Sequence, residues 1–192
     1  MDLMYKVINN KYSNIKQVLR EEFHVSSRLY IKLKNSNQIY LNSKSETYDK
    51  DIHINDVIEV NLNFNEDNSN IVPNKMNLNI LYEDDYMLII NIEAGFAIHP
   101  SIKHYDNSLS NGVKNYFDSK NINRKIRIVN RLDKDTSGIV IFAKNEYIQE
   151  CLIYQMQNKM FKKEYLGILD GILTNKKGTI NAPIARRKRQ YY

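Results

Sequence analysis

From Ile126 to Asn145 the chain reads IRIVNRLDKDTSGIVIFAKN. Two apolar runs, IRIV and GIVIFA, have the length of strands and flank a charged centre. In that centre Arg131 and Asp133 lie two residues apart, followed by Thr136, Ser137 and Gly138. A nearby arginine favours the ionised form of an aspartate. One ionised carboxylate aimed from a rigid strand end is suited to act as a nucleophile or a base. Charge and spacing alone favour the plainer reading, a structural ion pair that fixes a tight turn, with Thr136, Ser137 and Gly138 satisfying its backbone. Asp135 stands too close to Asp133 in sequence to oppose it across a bond, as the second carboxylate of a glycosidase does.

Other chemistries find less support. The chain has no phosphate-loop pattern and no dinucleotide glycine fingerprint. His24, His53, His99 and His104 have neither cysteine partners nor zinc-like spacing, so no metal is expected. The single cysteine, Cys151, excludes an internal disulfide and reads as a small buried hydrophobe on a helix. The RRKR run at Arg186–Arg189 suits either a phosphate contact or a solvated tail. The 192 residues carry a formal net charge of +6, which fits a polyanion partner and fixes no fold. MDLMYKVINNKYSN lacks the apolar segment of a signal peptide, and the runs MLII and GIVIFA are too short to cross a bilayer. A cytoplasmic protein with no membrane partner is therefore expected. The abundance of Asn, Lys, Ile and Tyr is taken as compositional bias and given no chemistry.

These residues need elements to hold them. SNIKQVLREEF predicts a short helix capped by Ser13, with Ile15, Val18 and Leu19 on one face. SSRLYIKLKNS predicts a second helix opened by Ser26. QIYLNS and DVIEVNL predict strands, with a turn near Asn42, Ser43 and Lys44. The polar, Asn-rich NFNEDNSNIVPNKMNLN predicts a linker over residues 63–77. Beyond it, NILYEDDYMLIINI predicts two strands around an acidic turn, and DNSLSNGVKNYF a helix. GIVIFAKN predicts a strand, and EYIQECLIYQMQNKM a helix with Ile148, Leu152 and Met156 on one stripe. KKEYLGILDG and GTINAPI predict further strands. No regular βαβ repeat is visible, so the fold class is α+β.

NRLDKDTSGIVIFAKN closely resembles the catalytic signature of the RluA-type pseudouridine synthases. The resemblance continues in ILYEDDYMLIINIEAGFAIHPS, SLSNGVKNYF, LIYQMQNKMFKKEYLGILDG and GTINAPIARR, and covers about residues 78–189. Residues 1–62 resemble, less specifically, the alpha-L RNA-binding fold, through IKQVLREEFHVSSRLYIKLK, IYLNSK and NDVIEV. The resemblance implies a small alpha-L-like RNA-binding domain at 1–62 and a linker at 63–77. It implies the first part of a catalytic domain at 78–192, with a mixed, mainly antiparallel sheet and flanking helices. It further implies that a uracil is detached from its ribose and rejoined through carbon in structured RNA, ribosomal RNA ahead of transfer RNA. It implies no cofactor and no metal, and a monomer is expected.

By the same resemblance Asp133 is the essential carboxylate. It either attacks the sugar or takes a proton from it. Arg131 supports the flipped-out nucleotide, Asn130 and Thr136 join it as substrate-binding residues, and Tyr165 stacks on the uracil and assists proton removal. Arg28, Lys32 and Lys34 give the first domain one basic helix face for RNA phosphates. Three departures stand out. Asn130 replaces the family's histidine, NIEAG replaces Asn-Lys-Pro-Ala-Gly, and the chain reaches Tyr192 without a Gly-Arg-Thr-His-Gln-Ile-Arg-like segment. The last predicts an incomplete catalytic domain with weak or absent catalysis, leaving an RNA-binding remnant as the alternative reading.

Overall fold

The computed structural model describes residues 2–102 and 105–183. His104 and the Arg186–Arg189 run lie outside the described residues. The chain divides into two units, Met1–Phe161 and Lys162–Tyr192.

The first unit holds two sheets. One is built from β1 (Asp2–Lys6), β2 (Ile39–Leu41), β3 (Lys44–Ser45) and β4 (Val57–Asn61), in the antiparallel order β1-β4-β2-β3. A short helix α1 (Ile15–Gln17), a π-helical segment (Val18–Glu22) and helix α2 (Ser27–Asn35) cover it. Ile15, Val18, Leu19, Leu29 and Leu33 pack on Ile39, Ile58 and Val60, all fully buried or nearly so. Ser26 caps α2 as expected, its side chain accepting from the Leu29 N–H at 3.2 Å. The first helix is capped by Asn14 and not by Ser13, since the Asn14 side chain is the one that reaches the Gln17 N–H, at 3.0 Å. The β2–β3 turn takes Asn42 and Ser43 through left-handed backbone, φ 50° and 65°, the geometry of a two-residue hairpin that usually employs glycine. β1 is absent from the sequence reading, because its buried positions, Leu3 and Tyr5, are only half-buried on an edge.

The other sheet is built from β5 (Ile80–Glu83), β6 (Met87–Ile92), β7 (Arg127–Ile128) and β8 (Gly138–Ala143), in the antiparallel order β5-β6-β8-β7. Helix α3 (Leu109–Ser119) packs Leu109, Val113 and Phe117 on one face, against Leu88, Ile90, Val140 and Phe142. Helix α4 (Glu146–Gln157) lays its Ile148, Leu152, Met156 stripe on the other, against Ile141 and Ala143. This explains why GIVIFA reads as an unbroken apolar run: β8 is central and covered on both faces. Coverage fails at its first residues, where Ile139 is 54% exposed.

The expected linker carries no helix or strand, yet it is fastened along its length. The Asn68 amide donates to the Arg124 carbonyl and accepts from the Ile126 N–H at 3.0 Å. Asn111 donates to the Val72 carbonyl at 2.7 Å, and Asn74 to the Asp106 carbonyl at 2.7 Å. At Gly112 a Cβ would overlap Cγ and Sδ of Met76, so any larger residue would push the Met76 side chain aside.

At the centre of the strap sits Glu66, its side chain 7% exposed. Arg127 grips it with both guanidinium ends, at 2.6 and 2.7 Å, and Lys32 of α2 approaches at 2.7 Å. Burial alone would push the Glu66 carboxyl up, but hydrogen bonds from Arg127 and Lys32 outweigh it and bring the pKa down to about 2. Glu146 of α4 closes the cluster, 3.4 Å from Lys32 and 3.5 Å from Arg28.

In the second unit the strands expected in KKEYLGILDG and GTINAPI are not formed among residues 162–183. A strand exists only against a hydrogen-bonded neighbour, and no ladder partner is present for these residues among those described. Leu166, Ile168, Ile172 and Ile180 are accordingly exposed. The α+β class stands on the first unit.

Removing the Glu66 charge leaves the buried Arg127 and the part-buried Lys32 with Glu146 as their remaining carboxylate, so Glu66→Gln should lower the unfolding free energy by about 3 kcal/mol in urea titrations. The folded carboxyl titrates near 2 and the ordinary one at 4.5. The contribution is therefore complete above about pH 4.5 and lost as pH falls towards 2. Wild-type stability should fall more steeply than that of the variant across this window; equal slopes would remove Glu66 from the balance.

Candidate active site

The stretch that opened the sequence reading forms the connection from β7 to β8. β7 pairs Arg127 with Ala143 and Ile128 with Phe142, and the Val129 N–H donates to the Ile141 carbonyl at 2.8 Å. There the backbone peels away, and the Asn130 side chain takes over the ladder. Its Nδ2 donates to the Ile139 carbonyl at 2.8 Å and its Oδ1 accepts from the Ile141 N–H at 2.9 Å. An amide sets an N–H donor beside a carbonyl acceptor in one plane, so it substitutes for a peptide group. In this structure the Asn130 side chain clamps the turn.

Leu132 tucks into the apolar cluster beneath α3, and Gly138 passes close over it at φ 132°. That backbone conformation is strained for any residue with a side chain. The Thr136 N–H donates to the Asp133 carbonyl at 2.9 Å, closing a tight turn over Lys134 and Asp135. With Leu132 held inward, its neighbours Arg131 and Asp133 are both exposed, and Thr136 is half-buried.

A second loop borders this turn. The Gly95 N–H donates to the Lys134 carbonyl at 2.7 Å. Three residues on, the Ile98 carbonyl accepts from the Ser110 N–H at 3.1 Å and from its hydroxyl at 2.8 Å. The loop is thus pinned to the Asp133 turn at one end and to α3 at the other. It carries Glu93, exposed, and His99, whose imidazole is held below its ordinary range by desolvation and then by the charge of Arg131. The sequence suggested that Arg131 would pair with Asp133. Among the described residues neither makes an ion pair, and both are exposed, where water screens such a pair strongly. An electrostatic neighbour of Arg131 is His99, a residue of the IEAGFAIHPS loop to which the sequence assigned no role in catalysis.

Tyr165 belongs to the second unit, where its side chain is exposed. The three cations of α2 do not share one face. Arg28 and Lys32, four residues apart, both turn to Glu146. Lys34 lies two residues beyond Lys32, on the opposite side of the helix, where it stands 4.6 Å over the Tyr48 ring and donates to the Tyr48 hydroxyl at 3.2 Å. Lys32 is largely consumed by Glu66, Glu146 and the Phe64 ring at 4.0 Å. Helical periodicity alone separates residues 32 and 34 by about 200°. Among the described residues no three His, Cys, Asp or Glu side chains are gathered as a metal would require, and no helix is long and apolar enough to cross a membrane.

Comparison with known proteins bears on this site. A family model described as RNA pseudouridylate synthase matches residues 86–192. An RNA pseudouridine synthase of Bacillus subtilis, YhcT, itself uncharacterized, is 42% identical over 118 residues, covering 62% of this chain and 39% of its own. A second from the same organism, YjbO, is 28% identical over 166 residues, covering 86% and 59%. The ribosomal large subunit pseudouridine synthase D of Buchnera aphidicola is 36% identical over 172 residues, covering 88% and 54%. This chain therefore spans between about two fifths and three fifths of the length of these relatives.

Asn130→Ala should cost about 1–3 kcal/mol, because it strips the Ile139 carbonyl and the Ile141 N–H of their partners. Native-state hydrogen exchange should show the Ile141 amide losing most of its protection while the Leu88 and Ile90 amides keep theirs. Unchanged protection at Ile141 would refute the clamp.

Proposed function

The chain belongs to the RNA pseudouridylate synthase family, and from that premise we propose that it isomerises uridine to pseudouridine in structured RNA, with ribosomal RNA as its target. The observation that carries this reading is the Asp133 turn. An exposed carboxylate, with an exposed arginine two residues before it in the chain, is carried on a connection clamped by Asn130 and anchored by Leu132. Rigid support of this kind keeps a reacting group in place without an ordering cost at the moment of reaction.

In this reading Asp133 is the carboxylate that acts on the ribose, as attacking group or as base. Arg131 supports the flipped-out nucleotide, and contacts to the RNA offset the few kcal/mol spent on unstacking. Thr136 keeps the turn closed through its N–H. Tyr165 stacks on the uracil. Residues 1–62 serve as an alpha-L-like module that binds RNA through its backbone, and residues 78–192 form the first part of the catalytic domain. Because Lys32 is spent internally, the weight of phosphate contact on α2 falls on Arg28, whose side chain is 87% exposed. A second reading has one specific support, the unformed strands of residues 162–183 with their exposed apolar side chains. It makes the chain an RNA-binding protein without turnover.

Incubation with unmodified large-subunit RNA, followed by carbodiimide-dependent primer extension, separates the two. Product is expected with the wild type and none with Asp133→Asn, while RNA affinity stays within about twofold, as the turn and its clamp are unchanged. Product that persists in Asp133→Asn would overturn the assignment; salt-sensitive binding with no product in the wild type would favour the second reading.

Arg28→Ala should weaken RNA binding evenly across sequences and reduce the slope of log affinity against log salt by about one. A slope equal to that of the wild type would exclude Arg28 from phosphate contact.

A further inference from the structure

Asp133 lies beyond the Gly138 end of the central strand pair, where Ile92 faces Gly138. At the other end Met87 faces Ala143, about 17 Å away by strand rise. A cavity of about 530 Å³ opens there. Its walls come from four places: the β5–β6 turn with Asp85 and Tyr86, the loop after α3 with Asn121 and Asn123, the strap with Asn65, and the start of α4.

Two cations stand in these walls, and both are already engaged. Arg124 donates to the Phe64 carbonyl at 3.2 Å and to Asn63 Oδ1 at 2.6 Å, which holds the strap in place. Lys144 is buried and pairs with Glu83 at 2.8 Å. What remains for a ligand is neutral or acidic. The Asn65, Asn121 and Asn123 amides, the Asp85 carboxylate and the Tyr86 hydroxyl make no hydrogen bond among the described residues. The Tyr86 ring is 42% exposed. With Lys144 paired to Glu83 and the Arg124 charge offset by Asp85, the lining offers a phosphate no net attraction and suits a flat, neutral, hydrogen-bonding ring. An amide offers a donor and an acceptor side by side, which matches the edge of a base. A carboxylate accepts from an exocyclic amine, and a tyrosine face stacks on any base. The volume lies within the range of small-ligand sites.

The frame is rigid. Asp84 Oδ1 accepts from the N–H groups of Tyr86 and Met87, at 2.8 and 2.7 Å, so the turn that presents Tyr86 is held from within. Asn121 is set in left-handed backbone at φ 56°. A preformed site loses little on binding.

We propose that this cavity receives an unstacked nucleobase of the bound RNA, other than the target uridine, between the amides of Asn65, Asn121 and Asn123 and the ring of Tyr86. The chemical class follows from the lining; that the base belongs to RNA rests on the function proposed above. The cavity then acts as a second grip on the RNA, at the opposite end of the sheet from Asp133, and reads base edges while the rest of the surface meets phosphate.

The test is an NMR titration of the isotope-labelled full chain with adenosine and cytidine, and separately with inorganic phosphate. Either nucleoside is expected to move the side-chain amide signals of Asn65, Asn121 and Asn123. Phosphate at the same concentration should leave them unmoved, and nucleoside affinity should be the same at low and high salt. Tyr86→Ala should weaken that affinity by about tenfold. Asn123→Ala, which leaves the aromatic in place, should weaken it too. Nucleosides that move none of these signals, an equal response to phosphate, or wild-type affinity in both variants would each overturn the proposal. Asp133→Asn should bind nucleoside as the wild type does, so the two readings fail separately. Product lost in Asp133→Asn with no nucleoside response removes the cavity alone. Nucleoside response with no product in the wild type removes the isomerase reading alone.

Discussion

One buried carboxylate organises the first unit. Glu66 brings a charge into a place where only 7% of its side chain meets water, a large desolvation cost in isolation. Arg127 and Lys32 offset it, and they come from different cores: Lys32 from the helix above the first sheet, Arg127 from the edge strand of the second. The pairing therefore does more than stabilise. It fixes the strap between the two sheets at its midpoint and sets α2 beside α4, where Glu146 completes the cluster. Ser26, the cap of α2, adds a hydrogen bond to Glu150 at 2.5 Å on the same seam. Arg127 is also the first residue of β7, three residues before the Asn130 clamp. The position of the Asp133 turn is thus tied, through one guanidinium, to the strap and to the RNA-binding module proposed for residues 1–62.

A second theme is the use of asparagine as a replacement for the peptide group. Asn14 and Asn145 cap helices. Asn68 bridges a carbonyl and an N–H of the loop before β7. Asn111 joins the Ser108 cap to the Val72 carbonyl, and Asn130 extends the β7–β8 ladder beyond the backbone. Each occupies a place where main chain leaves regular structure and would otherwise bury an unpaired group. The composition had suggested that the asparagines carry no chemistry. Individually they carry a good part of the irregular backbone's hydrogen bonding.

How much was legible from the sequence follows the range of the forces involved. Local signals were read well. Period-two alternation gave β4, a strand-sized apolar run beside an acidic turn gave β6, the 3.6-residue stripe gave α4, and Ser26 announced α2. The Arg131–Asp133 turn was found because apolar runs bracket it. What failed depended on distant partners. Glu66 reads as one acid in a polar linker, since nothing nearby in sequence reveals that residues 32 and 127 converge on it. The basic face assigned to α2 failed for a different reason: residues 28, 32 and 34 were counted as charges and not as angles around a helix. The strands expected after residue 162 were correct in local preference and lacked a neighbour, which propensity cannot supply.

The placement of the candidate site follows from where packing stops. α4 covers the sheet over Ile141 and Ala143 and leaves Ile139 bare, so the Gly138 end of β8 is firm on one face and open on the other. A catalytic carboxylate needs both conditions. It must rest on a support that does not yield, and it must face a space that a nucleotide can enter. Further along β8 both faces are filled, which would bury the charge; in the segment beyond residue 162 the described residues have no ladder to hold it. At the clamped turn after β7 the backbone of an aspartate is fixed while its side chain stays exposed. The Asn130 amide, the inward Leu132 and Gly138 at φ 132° together fix the backbone around residue 133.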